Sequence, residues 1–117
     1  NINEKTSKVL IMGFSFKENC NDIRNSKIFD LYKNLKTFFY NIDIYDPYVN
    51  KTIAKEIFDI NLLNSPKKNN YDVIIVAVKH DLFKKNSLSK LNIKLKKNSL
   101  FFDLKKTYPK LKSDFTL

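Results

Sequence analysis

The sequence predicts an α/β fold, a mostly parallel sheet of about five strands between two layers of helices, and three observations carry that prediction. Two short runs, VLIM after Lys8 and VIIVAV at 73–78, are apolar throughout, as strands are when both faces are buried. A polar loop follows the first run. It leads into a stretch whose apolar residues Ile28, Leu31, Tyr32, Leu35, Phe38 and Phe39 recur at helical spacing. Strands alternating with helices require right-handed crossovers, and those make a sheet parallel.

The elements follow in chain order. Residues 1–7 are polar and read as a frayed lead-in. The first strand is 8–13, ending at Gly13, and the first helix runs to Tyr40. Asp22 or Asn25 is its candidate cap. Asn41 then stands where a left-handed residue closes a helix, a place Asn fills when Gly is missing. The second strand, 42–46, stops at Pro47, which cannot donate to a ladder. Val49, Ile53, Ala54, Ile57 and Phe58 form a second amphipathic stripe, and 60–63 suggests a short third strand. The turn-rich loop NSPKKNN at 64–70 precedes the fourth strand, 73–78. Asp81 is placed to cap a short helix, with apolar positions from Leu82 to Leu95 for one or two turns. The last strand is 100–103, and a basic tail begins at Lys106.

With 117 residues the chain makes one domain, spanning 1–117, with residues 1–7 and 106–117 as flexible ends. That is small for an enzyme holding both a dinucleotide and a second substrate. No run of eighteen apolar residues and no basic-then-apolar leader occurs, so a soluble protein with no membrane contact is expected. A lone cysteine, Cys20, makes no internal disulfide and points weakly to a reducing, cytoplasmic setting. Gly13 is the sole glycine. Neither a G-x-G-x-x-G fingerprint nor a P-loop can be built, because both need several positions where backbone approaches phosphate without a side chain. The net charge of +10 is spread over loops and helix faces and accompanied by many Asn and Ile. Such a spread reads as solvated lysines rather than a nucleic-acid stripe, though its field still favours a phosphorylated ligand.

With the first strand central and the fourth beside it, the loops after strands one, four and five converge at the carboxyl edge, where open α/β sheets bind ligands. They carry Phe16, Lys17 and Arg24, then Lys79, His80 and Asp81, then Asp103 and Lys105. Cations with an aromatic suit a nucleotide diphosphate. His80 is the only histidine. Without a visible partner it reads as a structural hydrogen-bonder rather than an acid or base, and Asp103 as a strand-end acceptor.

The loop itself, GFSFKENCNDIRNS at 13–26, with its F-K, D-x-R and N-S spacing, resembles the segment that opens the C-terminal domain of the UDP-glucose/GDP-mannose dehydrogenase family. It looks most like members that oxidise UDP-N-acetylhexosamines for capsule and O-antigen synthesis. IDIYDP at 42–47, VIIVAVKHDLF at 73–83 and LFFDLK at 100–105 fit the same domain. The resemblance implies a Rossmann-like three-layer fold and a UDP-sugar ligand. It also implies that NAD is held mainly by an N-terminal domain, which carries neither this loop nor these strands. The parent enzyme would take the sugar C6 alcohol to a carboxylate in two hydride transfers, with the catalytic cysteine in another domain and a homodimer built through a central one. This segment would be inactive alone.

By the same resemblance, Phe16, Lys17 and Lys105 contact the UDP-sugar, and Arg24 reaches the NAD phosphates across a domain interface. Each has a plainer alternative: Lys17 as a solvated surface lysine, Phe16 as a cap on the core, Arg24 as a partner of Asp22. At Lys105 the family often has D-x-K-G where this chain reads Asp103-Leu104-Lys105-Lys106. No catalytic or metal-binding residue is expected. Three other readings stay open: UDP-glucose or GDP-mannose specificity, a stand-alone nucleotide-binding module, and a basic nucleic-acid-binding domain. The last predicts steep salt dependence without preference for UDP.

Overall fold

The computed structural model describes residues 3, 5–24, 26–66, 71–91, 93, 95–111 and 113. In order these form β1 (Lys8–Met12), α1 (Lys27–Lys36), β2 (Asn41–Tyr45), α2 (Lys51–Phe58), β3 (Tyr71–Val76), α3 (Asp81–Lys85) and β4 (Leu95–Asp103). The four strands pair in the order β2-β1-β3-β4, and every pairing is parallel. The α/β class, the parallel sheet and the central position of β1 match the expectation.

The strand count does not. Residues 60–63 form no strand, although Ile60 and Leu62 are buried and Asn61 is exposed. The alternation in sequence reflects real period-two burial. The segment makes one ladder-like bond to the edge strand, from Leu63 N–H to the Ile44 carbonyl at 2.9 Å. It therefore lies along β2 without joining the sheet.

Alternation along β1 divides the core. Val9 and Ile11 face a cluster with Ile44, Val73 and Ile75, covered by Ile28, Leu31, Tyr32 and Leu35 of α1 and by Ala54 and Phe58 of α2. Leu10 and Met12 face the opposite cluster, with Ile74, Val76, Phe83, Leu88, Ile93 and Tyr108. Both faces of the sheet are thus covered, and its strands read as continuous apolar runs for that reason.

Several boundaries shift for physical reasons. Helix α1 closes at Thr37, whose N–H reaches the Asn34 and Leu35 carbonyls in a right-handed conformation. Asn41 is no left-handed cap; it opens β2 opposite Lys8. The left-handed closing residue is at the end of α2 instead, where Asp59 has φ 56°. The caps of α1 and α3 are Ser26 and His80. Asp22 spends its Oδ1 on the Arg24 amide, and Asn25 lies outside the described residues. Strand β4 starts at Leu95 rather than at residue 100, and the one or two helical turns expected before it are the five residues of α3. The segment expected as a loose end is tied down at its start. Asp103 Oδ1 and Oδ2 accept the amides of Thr107 and Tyr108 at 2.8 and 2.6 Å, and both residues are buried. Asp103 is the strand-end acceptor that the sequence suggests.

Candidate functional site

The carboxyl ends of the strands are stitched closely together. Gly13 N–H reaches the Tyr45 carbonyl at 2.8 Å, Ala77 N–H the Met12 carbonyl at 2.9 Å, and Leu104 N–H the Val76 carbonyl at 3.1 Å. Gly13 is needed here twice over. Its φ is +99°, and a Cβ would stand 2.6 Å from Val78 Cβ and 2.9 Å from Val78 N. The one glycine marks where the loop leaving β1 passes against the loop leaving β3, at the point where the strand order reverses.

Above that crossing is a cleft of about 360 Å³, lined by Ser15, Phe16, Lys17, Glu18, Lys27, Ile28, Ala77, Val78, Lys79 and Lys105. The loops after β1, β3 and β4 meet here, as the strand order requires. Phe16, Lys17 and Lys105 come together in it, and all three are exposed, Phe16 to 52%. Lys79 joins them, and so does Lys27, which sequence reasoning missed. Its signal was available, because a first-turn helical residue after the loop must lie at the same rim. Ser26 does not cap α1 with its side chain; its hydroxyl donates to the Phe14 carbonyl at 2.8 Å. Among the described residues no side chain caps the first-turn amides beside Lys27, a position that favours an anion.

Arg24 is elsewhere. Its Nε and Nη2 grip Asp22 Oδ1 and Oδ2 at 3.2 and 3.1 Å, the plainer of the two roles considered for it. The side chain is 78% exposed. It lines a second cleft with Asn21, Asp22, Ile23, Val49, Asn50, Ile53 and Ile57. The side-chain hydrogen bond from Arg24 holds the Asp22 carboxyl below its ordinary range.

Beneath the first cleft is a buried polar cluster. Asp46, at the end of β2, accepts on Oδ2 from Phe14 N–H at 2.7 Å, Ser15 N–H at 3.0 Å and His80 Nε2 at 2.9 Å. Its Oδ1 takes the Tyr48 amide at 2.9 Å. His80 is wholly buried and lies against the Tyr48 ring at 4.3 Å between centroids. Its Nδ1 accepts from Asn19 N–H at 2.9 Å. Histidine as a structural hydrogen-bonder agrees with the sequence reading. Asp46 was overlooked there, although a carboxylate closing a buried strand must find donors. Cys20 Sγ accepts from the Asp22 amide at 3.3 Å. No cluster of His, Cys, Asp and Glu able to hold a metal occurs among the described residues.

Residues 10–110 match the UDP binding domain of the UDP-glucose/GDP-mannose dehydrogenase family. The chain belongs to this family. Among similar members, a UDP-N-acetyl-D-glucosamine 6-dehydrogenase of Salmonella typhi is 40% identical over 116 residues, covering 99% of this chain and 27% of the relative. A protein of the same name from Pseudomonas aeruginosa is 35% identical over 111 residues, covering 95% of this chain and 26% of the relative. The chain thus spans about a quarter of the length of these UDP-sugar dehydrogenases. In structure it is similar to a UDP-D-ManNAc dehydrogenase from Pyrococcus horikoshii, with a TM-score of 0.72 and 19% identity over 98% of this chain and 26% of that one. It is also similar to the UDP-N-acetyl-mannosamine dehydrogenase of S. aureus, with a TM-score of 0.64 and 26% identity over 93% and 24%. The UDP-binding domain of the family is therefore a Rossmann-like sheet here too, and no described helix is long and apolar enough to cross a membrane.

Proposed function

We propose that the chain is the C-terminal UDP-sugar-binding domain of a longer NAD-dependent UDP-N-acetylhexosamine 6-dehydrogenase serving surface-polysaccharide synthesis. The observation that carries this reading is the gathering of Lys17, Lys27, Lys79 and Lys105 with an exposed Phe16 around one cleft at the switch point. Ammonium groups at the rim neutralise a diphosphate, the open first turn of α1 offers amides to it, and an aromatic face gives a base something to lie on. In this assignment Lys17 and Lys105 contact the diphosphate and sugar, and Phe16 lines the uridine end. The chain binds and orients; it supplies no group to the hydride transfer.

NAD chemistry belongs to the parent enzyme. This chain's loop after β1 holds a single glycine, Gly13, packed against Val78, where a dinucleotide fingerprint uses several. What the chain offers is Arg24, splayed outward by Asp22 and proposed to reach NAD phosphates held by another part of a homodimeric enzyme. When bound, NAD would accept the hydrides from the sugar.

Calorimetric titration with UDP and UDP-N-acetylglucosamine at fixed salt tests the assignment, with GDP and a random DNA duplex as controls. Lys17→Ala and Lys105→Ala should each weaken UDP binding by about tenfold, the size of one lost charge-assisted hydrogen bond. Arg24→Ala should leave UDP affinity unchanged. Equal affinity for UDP and DNA that vanishes in moderate salt would refute the reading.

A further inference from the structure

The cleft loop is not held by its own contacts alone. Between Phe14 and Asn19 it is pinned at both ends by side chains from the segments that follow β2 and β3. Asp46 takes the amides of Phe14 and Ser15, and His80 Nδ1 takes the amide of Asn19. In between, Ser15 Oγ donates to the Lys17 carbonyl at 2.8 Å. Asn19 is in the left-handed region, φ 55°, and returns a bond of its own, accepting the Asp81 amide on Oδ1 at 2.8 Å. Phe16 and Lys17 are thus exposed side chains on a backbone anchored at each end.

The chemistry of these bonds leaves one choice for the histidine. A backbone N–H can only donate, so Nδ1 must carry the lone pair and the ring proton sits on Nε2. From there it faces Asp46 Oδ2 at 2.9 Å, with Ser15 Oγ at 3.3 Å. Asp46 orients the ring and the ring holds the loop. The Tyr48 ring lies tilted against the imidazole at 4.3 Å between centroids and the Phe83 ring meets it edge-on at 5.3 Å.

We propose that His80, oriented by Asp46, is a positioning residue that holds Phe16 and Lys17 in their binding arrangement through the Asn19 N–H···Nδ1 bond. This rests on the reading of the cleft as the UDP site. Neither residue touches ligand. Their effect is to order the loop before binding, so that the ligand does not have to.

Two substitutions separate this role from space filling. In His80→Asn the side-chain Oδ1 falls where Nδ1 was, so the Asn19 bond survives while the contact to Asp46 is lost and a larger void is left. In His80→Gln the amide reaches toward Asp46, more volume is kept, and the Asn19 bond is lost. Positioning predicts that His80→Gln binds UDP about tenfold more weakly while His80→Asn stays within about twofold. Simple packing predicts the reverse order, because the smaller side chain leaves the larger void. Without ligand, ring ¹⁵N shifts should report the Nε2–H tautomer, and hydrogen exchange should find the Asn19 amide protected in wild type and His80→Asn but not in His80→Gln. A wild-type ring protonated on Nδ1, or equal loss of affinity in both variants, would overturn the proposal. If wild type takes up no UDP while the exchange pattern is as stated, the UDP reading of the cleft is what fails, and the anchoring of the loop by His80 stands.

Discussion

Tyr108 has a buried hydroxyl that finds no hydrogen-bond partner among the described residues, as does the hydroxyl of neighbouring Thr107, although Asp103 accepts the amides of both. Burial, then the charges of Asp103 and Tyr45, push the Tyr108 phenol far above the ordinary tyrosine range. An unpaired buried hydroxyl forfeits desolvation energy, so Tyr108→Phe should raise stability near neutral pH by about 1–2 kcal/mol in urea denaturation. The pH dependence has a definite sign. The folded state resists ionising this phenol while the unfolded chain ionises it near its ordinary pKa of about 10, so stability is intact below that and falls as pH rises beyond it. Tyr45, also raised by burial, contributes in the same direction. The alkaline loss should be shallower in Tyr108→Phe, and an unchanged profile would count against the burial argument. Gly13 makes the converse case. Gly13→Ala forces a Cβ to 2.6 Å from Val78 Cβ at a φ of +99°, and should cost about 3 kcal/mol or more by the same assay.

At the scale of elements, the loop after β1 is organised by β2 and β3 more than by its own residues. Replacing Asp46 by Ala strips the Phe14, Ser15 and Tyr48 amides and His80 of their acceptor at once. It should destabilise by about 3–5 kcal/mol and expose the amides of Phe14 and Ser15 to rapid hydrogen exchange; protection equal to wild type would show that the carboxylate is dispensable. This dependence across strands explains what the sequence could and could not reveal. Strands β1 and β3 were legible because both faces are buried, and α1 because its stripe repeats at helical spacing. Its end was not. Phe38 and Phe39 continue the apolar pattern, yet their amides turn back to the Leu35 carbonyl and Phe38 ends up exposed. Residues 60–63 show strand alternation without a strand, since burial period and ladder formation are separate properties. That Phe16, Lys17 and Lys105 share one cleft was legible from loop convergence, but it was the motif resemblance that singled them out among the residues those loops carry. Asp46 and Lys27 were missed although each left a sign, a carboxylate closing a buried strand and a lysine in the first helical turn after the loop; what no local pattern encodes is which side chain faces which loop. For Arg24 the sequence offered two roles, a reach to NAD phosphates implied by its motif and a pairing with Asp22, and the structure shows the grip by the carboxylate two residues before it.

For the molecule as a whole, the net charge of +10 takes on a local meaning. Four of the lysines surround one cleft at the switch point, while the second cleft carries a single arginine already paired. A diphosphate bound in the first cleft should lose affinity with added salt only gradually, because few charges are involved, unlike a nucleic acid laid across the surface. The central claim is that this cleft takes the UDP moiety, and amide NMR shifts during a UDP titration of the chain test it most directly. The account predicts saturable shifts at Ser15 to Glu18, Lys27, Ala77 to Lys79 and Lys105, with none from GDP at equal concentration. Shifts confined to Ile53, Ile57 and Arg24, or a response to duplex DNA without one to UDP, would contradict it.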